Sequence, residues 1–187
     1  SGGTRVFGVE KYEKTLKKVI ARYGIQTHFF VKLVEIDGPN KKAKFVGIGE
    51  ANKGQEYWVE YDMIHVTPPQ SAPDFIKKSP LANAAGWIDV EKHTLQHAIF
   101  KNIFACGDAA ALPVSRTGAA IRKQAPVLVS NLLAVMKGKS MSASYDGYSS
   151  CPIITGYDKL VLAEFDYNNT PMETFPMDQS KERWSMY

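Results

Sequence analysis

Residues 102–110 read Asn-Ile-Phe-Ala-Cys-Gly-Asp-Ala-Ala, an apolar run that ends in a glycine–aspartate pair. The run predicts a short buried strand over 103–106. Gly107 has no side chain, so a ligand can approach the backbone there, and Asp108 can accept hydrogen bonds from sugar or ribityl hydroxyls. A helix after the pair would direct its partly positive N-terminal amides at a ring or phosphate. For the dipeptide alone, a simple turn aspartate is the alternative interpretation.

Further elements follow from the hydrophobic pattern on both sides of this pair. Three helical segments are predicted, at 75–78, 118–137 and 179–187. Pro126 lies inside the second of them and predicts either a kink or the first turn of a separate helix. Residues 86–90 are expected to be extended, and residues 152–165 predict two short strands about Gly156.

The first third of the chain predicts one helix and a strand meander. Apolar residues recur at helical spacing from Tyr12 to Tyr23, and Gly24 predicts the end of that helix. Three strand-like runs follow, at 27–36, 42–48 and 57–66, and the first two are expected to pair antiparallel. Because prolines at positions 68 and 69 end the third run, we place a domain boundary here, between 1–66 and 67–187.

Composition narrows the classes of function. The chain has 187 residues, 44% of them hydrophobic and 22% charged, which suits a globular fold. Its net charge of +4 comes from lysines mixed with acids, so nucleic-acid binding has little support. Two cysteines are too few for a disulfide scaffold and favour a reducing compartment. No run approaches the roughly 18 apolar residues of a membrane-spanning helix, so we expect any membrane contact to be peripheral.

Residues 145–152, Tyr-Asp-Gly-Tyr-Ser-Ser-Cys-Pro, place a lone cysteine in an aromatic, turn-forming setting. The Cys151 thiol could attack a sulfur or a flavin carbon if it is accessible and its pKa is lowered. A buried structural cysteine is the alternative, and Cys106 is interpreted as a small core residue. His93 and His97 have helical i, i+4 spacing but no third ligand nearby, so no metal site is expected.

The chain contains neither a Gly-Xaa-Gly-Xaa-Xaa-Gly fingerprint nor a phosphate-binding lysine loop. Its segments WIDV (87–90), TLQ (94–96) and NIFACGDAA (102–110) nevertheless resemble the second flavin-binding segment of the two-dinucleotide-domain, disulfide-reductase-like flavoproteins. The resemblance implies an α/β fold, with this chain as the C-terminal part of a two-dinucleotide-binding-domain FAD/NAD(P)-type protein and with an antiparallel strand meander.

Further segments narrow the resemblance to the sulfide:quinone oxidoreductases, particularly the mitochondrial-like type. They are HVTPP (65–69), AAGWIDV (84–90), YDGYSSCP (145–152), TGY (155–157), LAEFDY (162–167) and ETFPMDQSKER (173–183). The resemblance implies an FAD enzyme that oxidises sulfide and passes electrons to a membrane quinone, with transfer of the sulfur to an acceptor. In this family the residue that matches Cys151 is one of two redox cysteines.

The same resemblance assigns the cofactor site. Gly107 and Asp108 would bind the ribityl or phosphate region of FAD, and the segment that faces the isoalloxazine would comprise Arg116, Thr117, Gly118 and Ala119. It also assigns residues 1–66 to the end of an NAD-like lobe and 67–187 to the C-terminal part of an FAD lobe. The partner cysteine and the adenosine-binding glycines are expected upstream of this chain. We therefore expect a fragment, truncated at both ends, that has no activity by itself.

Location and alternatives follow from the same resemblance. A peripheral association with the bacterial plasma membrane or the mitochondrial inner membrane is implied. Phe175, Met177, Trp184, Met186 and Tyr187 either begin a membrane-facing region or pack in a core. A flavin NADH:quinone dehydrogenase shares the Gly-Asp segment but leaves Cys151 unexplained. A non-catalytic structural module is the third alternative for the isolated chain.

Overall fold

The computed structural model describes residues 2–186, and it divides the chain into two compact units. One unit is Ser1–Pro69 and the other is Gln70–Tyr187. No helix within residues 2–186 is long and apolar enough to cross a membrane.

The first unit begins with helix α1, Glu10–Arg22. One face of α1 is buried through Tyr12, Leu16 and Val19. Two exposed lysines of the helix form i, i+4 ion pairs, Lys14 with the exposed Glu10 and Lys17 with the buried Glu13. The helix ends as predicted, because Gly24 takes a left-handed conformation (φ +63°).

A three-stranded antiparallel sheet follows, in the order β1-β2-β3. Its strands are β1 (Val31–Asp37), β2 (Lys42–Gly47) and β3 (Glu56–Glu60). The predicted meander is confirmed, but its strands are shorter than expected, β2 by a single residue and β1 and β3 by more. Strand β1 starts at Val31 because Phe30 has a positive φ of 53°, which leaves the extended region. Strand β3 ends at Glu60, the residue opposite Lys42, because β2 offers no partner beyond that pair.

The second unit opens with the short helix α2, Asp74–Lys77. The predicted strand over 103–106 is absent, and an isolated bridge joins Phe104 to Gln96 instead. The reason is local backbone geometry: Leu95 (φ +64°) and Gly107 (φ +65°) interrupt the extended chain before a ladder can form. The Gly-Asp pair therefore starts a three-residue 3-10 helix, Gly107–Ala109, and not a regular helix.

Helix α3, Gly118–Met136, runs without interruption through Pro126. The alternative in which Pro126 starts a separate helix is therefore wrong. Gly138 (φ +64°) follows the helix and terminates it.

The two strands predicted over 152–165 are present as β4 (Ser149–Gly156) and β5 (Lys159–Phe165), and they pair antiparallel as a hairpin. The helix expected over 179–187 is wrong for its described part, where a 3-10 turn occupies Trp184–Met186, and Tyr187 lies outside the described residues. The backbone of Arg183 pairs with Leu160 of β5, and the buried Gln179 donates to the Leu162 carbonyl at 3.2 Å. These contacts hold residues 179–183 against the edge of β5. The extended pairing of Arg183 with Leu160 is incompatible with an α-helix over the same residues.

The core of the second unit brings the two sequence motifs together. Its buried residues come from both segments: Val90, Leu95, Ala105, Ala110, Leu112, Tyr145 and Tyr148. Tyr145 donates its hydroxyl proton to the Tyr148 carbonyl at 2.5 Å, and this bond closes the turn before β4. Burial of these side chains is the main stabilising term for the region that carries the candidate site.

Candidate functional site

The Gly107 turn is anchored on helix α3. The backbone N–H of Gly107 donates to Gln124 Oε1 at 2.7 Å, and the Gln124 side chain is 2% exposed. A Cβ added at Gly107 would lie 3.2 Å from Ile121 Cδ1, and the positive φ also disfavours any side chain there. The turn is therefore held by one buried amide and by a close approach that only glycine allows without strain.

Asp108 lies at the edge of an open cleft of about 460 Å³. The cleft is also lined by Trp87, Ala109, Ile76 and residues of the 70–73 segment. Asp108 is exposed, and its carboxylate has no hydrogen-bond partner within residues 2–186. Its oxygens are therefore available to accept hydrogen bonds from ligand hydroxyls.

Arg116 lies just before helix α3 and stacks on an aromatic ring. The guanidinium carbon of Arg116 is 3.9 Å from the centroid of the Trp87 ring. The Nε atom of Arg116 is buried and has no hydrogen-bond partner in the part of the chain that the structure describes. A buried donor without an acceptor is rare in folded proteins, so this atom points to a group that the chain itself does not provide.

The first turn of α3 presents free amides. Thr117 is its N-cap, and the Oγ1 atom accepts a hydrogen bond from Ala120 N at 3.2 Å. The N–H groups of Gly118 and Ala119 have no acceptor within the helix, because they belong to its first turn. They lie at the partly positive end of a 19-residue helix, which favours a negatively charged or electron-rich group.

The start of α3 is joined to strand β4 by two hydroxyl groups. Ser149 is fully buried and donates to the Ser115 carbonyl at 3.1 Å. Because its only hydrogen is used there, Thr117 Oγ1 must donate to Ser149 Oγ, at 3.0 Å. Ser115, the helix cap Thr117 and Ser149, the first residue of β4, thus form one hydrogen-bonded group.

Cys151 lies two residues after Ser149 on β4 and opposite Ala163 of β5. Since side chains alternate along a strand, Cys151 shares the face of Ser149, the face that meets the start of α3. Both cysteines are free and partly buried, and burial raises the pKa of the Cys151 and Cys106 thiols. Cys106 packs against the core, as expected of a small core residue.

Sequence reasoning missed a buried carboxylate close to this strand. Glu164 of β5 is 3% exposed and accepts hydrogen bonds from Tyr148, from both the N–H and the hydroxyl of Thr174, and from Gln179. Burial acts to raise its pKa, but these hydrogen bonds together hold the pKa of Glu164 below its ordinary value. Gln124 and Ser149 were missed too, and a polar Gln124 within the apolar pattern of α3 was the available signal.

Both histidines with helical spacing have structural roles. Nδ1 of His93 lies 2.9 Å from the Tyr145 carbonyl, and Nε2 of His97 lies 3.0 Å from the Leu81 carbonyl. Nδ1 of His97 also accepts the N–H groups of Ile99 and Phe100. Residues 93–97 are not helical, and no cluster of metal-binding side chains occurs among residues 2–186.

Comparison with known sequences gives consistent relatives, although no family model matches the chain. The chain is 44% identical to the mitochondrial sulfide:quinone oxidoreductase of Mus musculus and 46% identical to that of Dictyostelium discoideum. It is 40% identical to the one of Schizosaccharomyces pombe. These matches cover 97–100% of this chain and 40–42% of the relatives, so the chain spans about two fifths of their length.

A solved structure shares the fold. A chain of the Tetrahymena thermophila mitochondrial ATP synthase, from a cryo-EM composite tetramer model, superposes with a TM-score of 0.78 at 28% identity. The match covers 92% of this chain and 41% of that chain.

The predicted resemblance and fold class are therefore confirmed. The matches cover nearly the whole chain and therefore span the segments that carry Gly107, Asp108 and Cys151. The chain is a homologue of the mitochondrial sulfide:quinone oxidoreductases and corresponds to the C-terminal part of their two-dinucleotide-domain fold.

Proposed function

We propose that the protein to which this chain belongs is an FAD-dependent sulfide:quinone oxidoreductase, in which Cys151 is one of two redox cysteines. The observation that carries the proposal is the Thr117–Ser149 contact, because it joins the start of α3 to the strand of Cys151. The names of the relatives support the choice of sulfide and quinone as substrates.

The residues on this face suit FAD. Gly107 leaves room for a close approach, the Asp108 carboxylate can accept ribityl hydroxyls, and the buried Arg116 Nε lacks an acceptor. The amides of Gly118 and Ala119 would hold the electron-rich edge of the ring system. When bound, FAD supplies a two-electron acceptor between the thiols and the quinone. In the same proposal, residues 1–66 end an NAD-like lobe and residues 67–187 belong to the FAD lobe.

The chemistry at Cys151 can be written with its electrons balanced. Hydrosulfide attacks one sulfur of a bridge between Cys151 and a second cysteine, which we place outside this chain. A new S–S bond forms, the bridge breaks, and one cysteine carries a persulfide while the other leaves as a thiolate. Transfer of the outer persulfide sulfur to a nucleophilic acceptor would leave two thiolates. Their oxidation would re-form the bridge and release two electrons, which would pass through FAD to the quinone together with the uptake of two protons.

The surroundings of Cys151 determine whether it can leave as a thiolate. Burial raises the pKa of Cys151, which favours the protonated thiol in the isolated chain. The partly positive N-terminus of α3, on the face that Cys151 shares with Ser149, is the feature that favours the thiolate instead. Expulsion of a thiolate therefore depends on the close attachment of β4 to the first turn of α3.

The test uses the full-length protein and follows its flavin absorbance. Sulfide should bleach the oxidised flavin, and a soluble quinone should restore it. Cys151→Ser should abolish sulfide-dependent bleaching, whereas Cys106→Ser, the matched control at a core position, should retain it. Normal turnover by Cys151→Ser would overturn the assigned role, and reduction by NADH without any response to sulfide would identify an NADH:quinone dehydrogenase.

The structural match favours a second candidate, a non-catalytic module of a membrane complex. It rests on the TM-score of 0.78 to a chain within a mitochondrial ATP synthase structure. A full-length protein that purifies without flavin and within a large membrane complex would support this candidate over the first.

We place the protein at the mitochondrial inner membrane, in peripheral contact with it. The relatives are named as mitochondrial enzymes, and quinones dissolve in the membrane. Among the tail residues up to Met186, Trp184 (74% exposed) and Phe175 (51% exposed) offer aromatic side chains to a lipid surface.

A further inference from the structure

We propose that Trp87 is a positioning residue, which holds the Arg116 cation at the flavin-binding face and thereby raises the reduction potential of the flavin. This inference rests on the proposed function, because it requires that FAD occupies the cleft of Asp108 and Trp87. Trp87 belongs to a segment that carries the family resemblance, but the sequence assigns it no role in the site, and the stack at 3.9 Å is what connects it to Arg116.

The backbone of Trp87 is locked next to the Gly-Asp turn. Its N–H donates to Asn83 Oδ1 at 3.2 Å, and its carbonyl accepts the N–H of Asn83 at 2.8 Å. The next residue, Ile88, donates to the Ala109 carbonyl at 2.9 Å and accepts the N–H of Ala111 at 2.9 Å. The backbone of Trp87 is thus fixed with respect to residues 107–111, and the residue lines the same cleft as Asp108.

The Arg116 guanidinium depends on this ring for its orientation. No carboxylate forms an ion pair with Arg116 within residues 2–186, and its buried Nε makes no hydrogen bond there. An arginine over an indole ring gains about 0.5–2 kcal/mol from the cation–π interaction. The stack therefore keeps an uncompensated positive charge at the start of α3, where solvent would otherwise attract the side chain.

A fixed cation near the flavin should favour its reduced state. Reduction adds negative charge to the ring system, and a nearby guanidinium in a partly buried site stabilises that charge more than it does in water. Without the indole ring, Arg116 can turn toward solvent, and its effect on the reduced state weakens. By this inference Trp87 acts on the flavin only through Arg116, so a double-mutant cycle between the two residues tests it.

The experiment measures the flavin midpoint potential at pH 7 in the FAD-loaded full-length protein. Trp87→Leu should lower the equilibrium constant for flavin reduction by about two- to tenfold, and Trp87→Phe should recover most of it. Arg116→Met should lower the constant at least as much. In the Arg116→Met background, Trp87→Leu should have no further effect. Lys123→Met is the matched control, since Lys123 stacks more loosely on Tyr148, at 5.4 Å, and should leave the potential unchanged.

Each outcome decides the inference. An equal shift by Trp87→Leu with and without Arg116 would overturn it, because Trp87 would then act on the flavin directly. If the protein binds FAD but its flavin midpoint potential changes with neither Trp87→Leu nor Arg116→Met, the inference is overturned and the proposed function stands. A protein without FAD would overturn both. If Trp87→Leu does not fold, Trp87→Met replaces it in both backgrounds, because methionine fills more of the space of the indole ring and has no aromatic face for the Arg116 cation.

Discussion

The hydroxyl of Thr117 lies 3.0 Å from the hydroxyl of Ser149, and this contact joins the start of helix α3 to the strand that carries Cys151. Because Thr117 also caps the helix, Thr117→Ala should lower the free energy of unfolding by about 1–2 kcal/mol. Thr117→Ser keeps the hydroxyl and should recover most of the loss. Urea unfolding of the purified variants measures both values, and an equal loss in the serine variant would contradict a hydrogen-bonding role.

Gly107→Ala should destabilise the protein more than Gly138→Ala. Both glycines have a φ near +65°, where alanine costs about 1–2 kcal/mol, but nothing lies within 4 Å of a Cβ at Gly138. A Cβ at Gly107 meets Ile121 at 3.2 Å, so the difference between the two variants reports that contact. Thermal unfolding provides the comparison. Adding Ile121→Val should reduce the excess cost, and an unchanged excess would exclude Ile121 as its source.

Glu164→Gln should destabilise the protein at pH 7 by on the order of 1–3 kcal/mol, because its new amide group faces the donors of Thr174 and Gln179. Hydrogen bonds hold the pKa of Glu164 below its ordinary value. The stabilisation is therefore present above the unfolded-state pKa, near 4.3, and is lost as the pH falls through the lower folded-state pKa. The difference between wild type and variant should shrink in acid.

The control for this pH profile is Glu50→Gln, since Glu50 is an exposed residue of the first unit. Chemical unfolding across the acid range should show the same profile for this variant and for wild type. A Glu164→Gln curve that stays parallel to wild type down to the acid limit would contradict the assigned ionised carboxylate.

Tyr148 should limit stability at alkaline pH. Burial and the neighbouring Glu164 carboxylate raise the pKa of Tyr148 to about 12, above the ordinary value near 10. Its contribution is fully present below pH 10 and is lost as the pH rises toward about 12. Tyr148→Phe should therefore flatten the alkaline limb of the stability profile. Tyr157→Phe is the control, since Tyr157 is 97% exposed, and a flattened limb in that variant would refute the assignment.

Cys151 of the isolated chain should react slowly with iodoacetamide at neutral pH. Burial raises the pKa of its thiol, so the reactive thiolate is scarce there and increases as the pH rises past the ordinary value for cysteine. Cys106→Ser leaves Cys151 as the single thiol, and mass spectrometry then gives its alkylation rate against pH. Fast alkylation at neutral pH would show instead that the start of α3 lowers this pKa in the isolated chain.

Much of the fold was predictable because it depends on local patterns. The helix ending at Gly24 and the two strands about Gly156 follow from hydrophobic spacing and turn residues. The strand expected over 103–106 failed because positive φ values occur at Gly107, directly after the segment, and at Leu95, next to the residue that pairs with Phe104. The tail helix failed because Gln179 and Arg183 bond to β5, a contact that sequence periodicity does not report.

In the candidate site, too, the sequence identifies individual residues, whereas the contacts between them come from the tertiary structure. The residue types and flanking motifs were sufficient to single out Gly107, Asp108 and Cys151 and to predict the family resemblance, since these features are properties of short segments. Only the tertiary structure places Ser149 against Thr117, Gln124 under Gly107 and Trp87 against Arg116. The members of each pair lie 17 to 32 positions apart along the chain, so no local pattern connects them. They meet because α3 packs against the Gly107 turn and the β4–β5 hairpin.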